Sequence, residues 1–377
     1  MKPRIHVLYE HGIDRRPFGS ASIRLLRPLT HPQVRPHLDV SFGLTYEGQP
    51  VEAVILDRLW RPDISLALAR ELLAQFRSRN VRLLYALDDS FLDLPAEKKD
   101  WEPTEERLQV VKLFLAEAAG LLVTTVALRE KLAGFNGNIA VVPHALDERL
   151  LPAWRRPEGQ TEPGWRVQLA RLASRLQKCP GRSLRFSAGR KIVIGYMGTF
   201  THDDDLLLVL PALQAVAGQY QGAVEFELVG VMGRPETRRL LQDLPLRLVK
   251  LSPRKVAYDR FMAWFSRCLE WDIALAPLRD TPFNRCKSDI KFLDYSAIGA
   301  AGIFSRVRPY EASVRHRQTG WLAENTPEAW QAALTELIDN PSHREQLACN
   351  ATAYLFSQRT LAVCAHQWVA AIESLLA

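Results

Sequence analysis

The chain has 377 residues, 47% hydrophobic and 24% charged, so it exceeds the usual size of one core and its composition excludes a disordered protein. The net charge of +7 suits an anionic ligand or an acidic membrane surface. The sequence has no basic residues interleaved with aromatic ones, so it does not indicate nucleic-acid binding. Five scattered cysteines exclude a regular disulfide framework and favour a reducing compartment. Because no run of about 18 apolar residues occurs, we expect a cytoplasmic chain that does not span a membrane.

The first half alternates short apolar runs with segments of helical period, which is typical of βαβ units around a parallel sheet. The predicted strands are Ile5 to Tyr9, Leu38 to Phe42, Ala53 to Leu56, Arg82 to Leu87, Gly120 to Thr124 and Ile139 to Val142. Helices are predicted at Ile64 to Arg77 and at Glu105 to Ala119. We therefore predict a Rossmann-like domain over residues 1–150.

A break in this alternation at residues 151–190 marks a junction rich in proline and arginine. Within it, the apolar residues Trp165, Leu169, Leu172 and Leu176 recur at helical spacing, with basic residues on another side. The pattern predicts a basic amphipathic helix. Two interpretations stay open at this point: a helix packed on the domain seam, or an interfacial helix on acidic lipid.

The second half repeats the alternation and predicts a second Rossmann-like domain over residues 191–360. Its predicted strands are Lys191 to Tyr196, Val224 to Val229, Leu246 to Leu251, Ile273 to Ala276 and Ala300 to Phe304, and its predicted helices are Leu206 to Gln219, Tyr258 to Leu269 and Asp289 to Ile298. Residues 361–377 follow as a helix that we expect to cross back onto the first domain. The fold class is thus α/β, with two Rossmann-like domains.

A first phosphate-binding motif follows the strand that begins the second domain. Gly198 allows close backbone approach, and Thr199 and Thr201 carry hydroxyl donors before a helix. The three aspartates Asp203 to Asp205 are also typical of N-terminal helix capping, so a phosphate-binding loop and an ordinary helix start both stay open as interpretations. Adjacent carboxylates at a helix start diverge around its axis, so we predict no metal site here.

A second motif lies between Ala274 and Gly299, where a strand leads through a polar loop into a helix. Lys287 and Ser288 stand at the predicted mouth of that helix, which suits a diphosphate. Lys287, Lys291 and Asp294 have spacings of four and three, which predicts one shared helical face. The alternative is a surface helix with ordinary charge pairs, but it leaves the Lys-Ser pair without a role.

The segment Asp-Ile-Ala-Leu-Ala-Pro-Leu and the following Asn-x-x-Lys-Ser-Asp-x-Lys-Phe-Leu-Asp-Tyr resemble the donor site of bacterial group 1 glycosyltransferases of GT-B architecture. The loop from Gly195 to Asp203 resembles the first loop of the same donor domain. Pro309 to Glu311 and Thr319 to Leu322 resemble the loop and strand that close it. The resemblance covers about residues 190–360 and is weak in the first half.

The resemblance implies sugar transfer from a nucleotide sugar with retained anomeric configuration, two domains facing across a cleft, and neither metal nor cofactor. It places Asp294 on the second acid of a paired-glutamate motif that holds the ribose. Cys286 stands where the family often has the first acid, so the resemblance does not imply how the sugar is held or which donor is used. The donor-binding residues implied are Gly198, Thr199, Thr201, Asn284, Lys287, Ser288, Lys291 and Asp294.

The first domain is expected to bind the acceptor through residues that follow its strands. Adjacent carboxylates at a strand end are unfavourable without a cationic partner or ligand, which makes Asp88 and Asp89 catalytic candidates together with His11. Candidates for the acceptor site or cleft are Gly19, Ser20, Arg58 and His144.

The leading hypothesis is a glycosyltransferase of bacterial surface polysaccharide synthesis, for example of O-antigen. Its expected partners are a nucleotide-sugar donor, a glycan or lipid-linked acceptor and, at the inner face of the plasma membrane, acidic lipid. Two alternatives stay open: a sugar-nucleotide epimerase of the same architecture, and a degenerate transferase that only binds nucleotide sugars.

Overall fold

The computed structural model of this chain describes residues 2–94, 104–151, 190–199, 202–230, 234–252 and 257–377. These residues form two compact units. The first unit comprises Met1–Asp147, Thr281–Ser288 and Thr360–Ala377, and the second comprises Glu148–Asp280 and Asp289–Arg359. The helix predicted within residues 152–189 lies outside the described residues.

The first unit is built on a six-stranded parallel sheet with the order β2-β1-β3-β4-β5-β6. Its strands are β1 (Arg4–Leu8), β2 (Asp39–Gly43), β3 (Ala53–Asp57), β4 (Arg82–Leu87), β5 (Gly120–Val123) and β6 (Ile139–Val141). All six predicted strands are confirmed. The two central strands β3 and β4 are buried along nearly their whole length, which is why their sequences are continuous apolar runs.

Helices cover both faces of this sheet. They are Gly19–Ala21, Ser22–Leu26, Arg27–Leu29, Leu66–Ser78, Phe91–Asp93, Glu105–Glu117, Val126–Leu132, Pro282–Arg285, Leu361–Cys364 and His366–Leu376, of which Ser22–Leu26 is π-helical and Phe91–Asp93 is 3-10. Ser65, Thr104 and Thr125 each cap a helix by accepting a hydrogen bond from the backbone N–H three residues later. The last helix packs on the sheet, and its Trp368 Nε1 donates to the carbonyl O of Arg24 at 2.8 Å. The predicted return of the C-terminus to the first domain is confirmed.

The second unit contains another six-stranded parallel sheet, with the order β12-β11-β10-β7-β8-β9. Its strands are β7 (Ile192–Met197), β8 (Val224–Val229), β9 (Leu246–Val249), β10 (Ile273–Ala276), β11 (Ala301–Ser305) and β12 (Trp321–Ala323). From β9 inward, the order of strands is that of a dinucleotide-binding Rossmann domain. The predicted α/β class with two Rossmann-like domains is therefore confirmed.

The helices of the second unit surround this sheet. They are Glu148–Leu150, Asp203–Leu207, Leu210–Gln219, Pro235–Leu240, Tyr258–Cys268, Ile290–Ile298, Arg308–Glu311, Pro327–Asp339 and Pro341–Gln358, the first of them 3-10. The single helix predicted from Leu206 to Gln219 is interrupted, because Pro211 lies in the first turn of a new helix. None of the described helices is long and apolar enough to span a bilayer.

Gly195 in β7 shows how tightly the second sheet is packed. A Cβ atom on this residue would lie 1.8 Å from Cδ2 of Trp271, whose side chain is almost completely buried. The indole therefore lies directly on the backbone of β7. Any side chain at position 195 would displace it.

Candidate active site

Each sheet has a point at which the strand order reverses, and open α/β sheets bind ligands outside the carboxyl ends of the strands at such points. In the first unit the reversal lies between β1 and β3, which are followed by Glu10 and Arg58. In the second unit it lies between β7 and β10, which are followed by Gly198 and Arg279.

A buried ionic cluster lies at the reversal point of the first sheet. Arg24, with 2% of its side chain exposed, forms ion pairs with Asp57 and Asp88. Asp57 also accepts a hydrogen bond of 3.0 Å from the backbone N–H of Glu10. Burial raises the pKa of Asp88, but the charges of Arg24 and Arg58 outweigh it and hold this pKa below its usual range. Asp88 is thus an ionised partner of a buried arginine.

Arg58 connects this cluster to the more exposed side chains. Its guanidinium lies 2.9 Å from Ser20 Oγ and 3.3 Å from Glu10 Oε2. It also lies 3.6 Å from Asp88 Oδ1 and 3.9 Å from Asp89 Oδ2. Its backbone has a φ of 50°, which is uncommon for a residue other than glycine and is often found at functional sites.

Glu10 is a carboxyl of this cluster with a raised pKa. Burial raises its pKa to about 7, against the opposing effect of the Arg58 charge. The cluster can therefore hold or release one proton near neutral pH. Glu10, Arg24 and Asp57 were not predicted as site residues. Glu10 and Asp57 could have been found by the pattern that identified Asp88, since they also stand at the ends of apolar strands.

The structure brings together four of the residues predicted in the first domain: Ser20, Arg58, Asp88 and Asp89. His144 is buried close enough to Asp88 for its charge to help lower the pKa of that carboxyl. Gly19 begins the helical segment that contains Ser20. His11 is not joined to this cluster, because its Nδ1 pairs at 2.8 Å with the carbonyl O of Gly12.

Residues 281–288 pack with the first unit, although the sequence assigned them to the second domain. Cys286 is buried in the apolar core of the first unit, where its carbonyl O accepts a hydrogen bond of 2.9 Å from Thr125 Oγ1. Asn284 is also buried, and Ser288 is half-buried.

The prediction that Lys287, Lys291 and Asp294 share one helical face is wrong. The helix begins only at Ile290, and Asp289, its N-cap residue, separates it from Lys287. An ion pair of Arg359 with Asp289, at 2.8 Å, holds this helix start in the second unit. Lys287 does not share the face of Lys291 and Asp294, because helical spacing does not continue across residues that precede the helix.

In the second unit, two glycines allow a close approach of the loops after β7 and β8. Gly230 has a φ of +75°, and a Cβ atom there would lie 2.5 Å from the carbonyl O of Gly198. Thr199 follows and is exposed, and its carbonyl O accepts a hydrogen bond from the backbone N–H of His202. Thr201, which was predicted to bind the donor, lies outside the described residues.

The aspartates at the helix start bind neighbouring loops. Asp203 accepts a hydrogen bond of 3.1 Å from the backbone N–H of Arg234, and Asp205 accepts one of 2.9 Å from that of Arg279. Asp204 pairs with both guanidinium groups, at 2.6 Å and 3.3 Å. The guanidinium groups of Arg234 and Arg279 therefore lie beyond the carboxyl ends of β8 and β10. Neither arginine was predicted from the sequence as a site residue. Among the described residues, no group of three or more His, Cys, Asp or Glu side chains could hold a metal ion.

Lys291 lies beside the reversal point of the second sheet. Its Nζ is 3.3 Å from Tyr196 Oη and 4.4 Å from the centroid of that ring. The helix that carries it is held there by Tyr295, whose hydroxyl donates to the carbonyl O of Leu275 at 2.8 Å and accepts from the backbone N–H of Met197 at 3.4 Å. Lys291 thus brings a positive charge to the carboxyl end of β7.

Asp294 is buried on the same helix, with 3% of its surface exposed. Its Oδ1 lies 3.4 Å from the hydroxyl of Tyr258. Burial raises the pKa of Asp294 to about 8, although Tyr258 and Lys291 act to lower it. The carboxyl is therefore mostly protonated at neutral pH. A ribose hydroxyl that donates to it would favour the ionised form.

The sequence of residues 191–340 matches the model of the family described as Glycosyl transferases group 1. The chain carries a group 1 glycosyltransferase domain. This range contains β7 to β12, the reversal point and the helix with Lys291 and Asp294. The protein is thus a glycosyltransferase, as the resemblance predicted. No curated protein matches the chain in sequence.

Solved glycosyltransferase structures share the GT-B fold of this protein. A glycosyltransferase from Rickettsia africae is 11% identical with a TM-score of 0.61, and the alignment covers 100% of this chain and 99% of that one. Anabaena HepE, in complex with UDP and glucose, is 13% identical with a TM-score of 0.61 over 99% and 100% of the two chains. A sucrose-phosphate synthase from Thermosynechococcus elongatus is 15% identical with a TM-score of 0.63 over 99% of each.

Proposed function

We propose that the protein transfers a sugar from a nucleotide-sugar donor to a glycan or lipid-linked acceptor, retaining the anomeric configuration and needing no metal ion. The observation that carries this proposal is the match of residues 191–340 to group 1 glycosyltransferases. That range includes the carboxyl ends of β7 and β10, where a sheet of this strand order binds its ligand.

The donor nucleotide is proposed to bind the second unit at this reversal point. The close approach of Gly198 and Gly230 opens the backbone to a diphosphate, and the exposed Thr199 adds a hydroxyl donor. Lys291 would neutralise the phosphate charge, and Asp294 would accept from the ribose hydroxyls.

Lys291 also supplies the chemistry that sugar transfer requires at its leaving group. When the bond between the sugar and the diphosphate breaks, negative charge builds up on the departing oxygen. A fixed ammonium group beside the diphosphate stabilises that charge more in the transition state than in the bound donor. A lysine held by Tyr196 can provide this stabilisation without a metal ion.

UDP-sugars are the first donors to test. HepE has been solved with UDP-glucose, and the pneumococcal O-GlcNAc transferase GtfA with UDP and GlcNAc. Staphylococcus aureus TarM has been solved with UDP as well. These complexes support, by shared fold, a uridine nucleotide for this protein.

The acceptor is proposed to bind the first unit beside Ser20, Arg58 and Asp89. A partly exposed carboxylate such as Asp89 can accept a hydrogen bond from the attacking hydroxyl. Synthesis of a bacterial surface polysaccharide, such as an O-antigen, at the inner face of the plasma membrane is the proposed setting. The net charge of +7 favours a peripheral contact with acidic lipid there.

A thermal-shift screen with UDP, GDP, ADP and CDP tests donor binding, because a ligand of the native state raises its melting temperature. We expect UDP to give the largest shift. Lys291→Ala should weaken UDP binding about tenfold or more, the effect of one charge-assisted contact. Lys191→Ala is the matched control, because Lys191 is exposed at the opposite, amino end of β7. Equal effects of the two substitutions would overturn the placement of the diphosphate.

Turnover separates the two alternatives from the proposal. An epimerase would convert a UDP-sugar in the absence of an acceptor, and a degenerate binding module would bind UDP without converting any donor. A glycosyltransferase needs both substrates to form its product. Donor binding together with acceptor-dependent release of UDP would therefore support transfer.

A further inference from the structure

His202 lies at the reversal point of the second sheet, between β7 and the helix Asp203–Leu207. Its backbone N–H donates to the carbonyl O of Thr199 at 3.0 Å. This hydrogen bond holds His202 close to Thr199, whose hydroxyl is a proposed donor to the diphosphate. His202 therefore lies where the proposed function needs groups that bind an anion.

The hydroxyl of Tyr196 connects His202 with Lys291. It donates to the carbonyl O of His202 at 3.4 Å and accepts from Lys291 Nζ at 3.3 Å. Burial raises the pKa of Tyr196 well above its usual value, so the hydroxyl keeps the proton that it donates. One buried side chain thus contacts both the backbone of His202 and the ammonium group of Lys291.

The imidazole ring of His202 is oriented by Asp205. Its Nδ1 lies 2.8 Å from Asp205 Oδ2, and the other oxygen of this carboxylate accepts from the backbone N–H of Arg279 at 2.9 Å. Burial raises the pKa of Asp205, but the hydrogen bond and charge of His202 and the N–H of Arg279 outweigh it and hold this pKa below its usual range. Because an ionised carboxylate can only accept, Nδ1 of His202 is the donor in this pair.

The second ring nitrogen of His202, Nε2, is suited to an anionic ligand. A carboxylate beside one ring nitrogen favours the imidazolium form, in which the other nitrogen also carries a proton. The His202 side chain is 17% exposed and that of Asp205 only 6%. A ligand can therefore reach the ring, while the carboxylate that orients it stays buried.

We propose that His202 is a second cationic ligand of the donor diphosphate, acting through Nε2 together with Thr199 and Lys291. The inference rests on the proposed function, in which the diphosphate binds at the reversal point of this unit. A charge-assisted hydrogen bond from the imidazolium stabilises the negative charge that develops on the departing oxygen. The ring keeps its proton throughout, so no proton transfer is added to the reaction. Asp205 acts through the ring as a positioning residue.

Calorimetric titrations with UDP and with uridine test this role, because the two probes differ only in the diphosphate. His202→Asn keeps an amide donor for Asp205 but removes Nε2. UDP should therefore bind about tenfold more weakly, the effect of one charge-assisted hydrogen bond, while the affinity for uridine stays unchanged.

His343→Asn is the matched control, because His343 forms a similar pair elsewhere in the second unit. Its Nδ1 also lies 2.8 Å from a carboxylate oxygen, Glu336 Oε1, and 23% of its side chain is exposed. Its ring packs near Trp321 in β12, the edge strand of the sheet, and not at the reversal point. UDP affinity should not change in this variant.

The outcomes distinguish the role of His202 from the proposed function. Weaker binding of UDP alone by His202→Asn would support the inference. Unchanged UDP affinity, an equal loss of UDP and uridine, or the same loss in His343→Asn would overturn it. If Lys291→Ala weakens UDP binding and His202→Asn does not, only the role of His202 fails. If the wild-type protein binds no UDP, the inference fails together with the uridine donor. His202→Ala serves as a second variant, and equal melting temperatures show that each variant is folded.

Discussion

Asp88 forms an ion pair with Arg24, an arginine whose side chain is almost completely buried. The pair places Asp88 inside the first unit and leaves Asp89, its neighbour in sequence, at the edge of the cluster. The two carboxylates that the sequence treats alike therefore differ in their surroundings. Asp88 balances buried arginines, whereas Asp89 remains within reach of a ligand.

We predict that Asp88→Asn destabilises the protein. Breaking a buried pair leaves Arg24 partly uncompensated, which costs about 3 to 5 kcal/mol in comparable cases. Urea unfolding monitored by tryptophan fluorescence should show a clearly lower midpoint, while exposed Asp63→Asn should leave it unchanged. If the Asp88→Asn variant is as stable as the wild type and has lost only turnover, Asp88 instead has a direct catalytic role.

Glu10→Gln should change the dependence of stability on pH. Because burial raises the folded pKa from 4.5 to about 7, the folded state binds this proton more tightly than the unfolded state, and wild-type stability falls as pH rises between these values. The Glu10→Gln variant has no proton to release at residue 10, so its stability does not fall for this reason as the pH rises. It should match the wild type near pH 5 and exceed it at pH 8, by on the order of 2 kcal/mol. Parallel stability curves from pH 5 to pH 8 would contradict the raised pKa.

Gly195→Ala should destabilise the second unit, because the added Cβ would overlap the indole of Trp271. Overpacking of this kind costs about 1 to 3 kcal/mol or more. Gly218→Ala is the matched control, since this glycine lies in the helix Leu210–Gln219 with no atom within 4 Å of the added Cβ. There, alanine should stabilise the helix by up to about 1 kcal/mol. Melting curves of the two variants should shift in opposite directions.

UDP affinity should depend on pH through Asp294. Its pKa of about 8 means that the carboxyl must lose a proton to accept two ribose hydroxyls, so affinity should rise with pH and level off above about 8. Calorimetry in buffers of different ionisation enthalpy should detect the released proton below that pH. Asp294→Asn should bind UDP more weakly and without this pH dependence. If UDP affinity changes equally with pH in the wild type and in Asp294→Asn, the titrating group is a different residue.

Local sequence was sufficient to predict most of the fold. Continuous apolar runs such as Ala53 to Leu56 identify buried parallel strands, because only a strand covered on both faces lacks alternation. The helices at 327–339 and 341–358 were not predicted, although Pro327 and Pro341 in their first turns are typical helix starts. Residues 281–288 could not be placed from sequence, since their contacts with the first unit are long-range.

The candidate site was only partly predictable for the same physical reason. Gly198, Lys291 and Asp294 belong to motifs that are continuous in sequence. The partners of Asp88 and Asp89 are instead separated from them by long stretches of chain: Arg24 comes from the helical region after β1, and Lys287 from the segment at residues 281–288. Ion pairs between such distant residues follow from the packing of the strands and leave no local pattern.

The most direct test of nucleotide-sugar-dependent transfer is an NMR assay of UDP-glucose and UDP-N-acetylglucosamine with polysaccharide and lipid-linked acceptors in the presence of a metal chelator. We predict that one donor is consumed only when an acceptor is present, that UDP and glycosylated product form in equal amounts, and that the new linkage keeps the α configuration of the donor. Epimerised donor without an acceptor, an inverted linkage, or no product from a protein that binds UDP would contradict the proposed reaction.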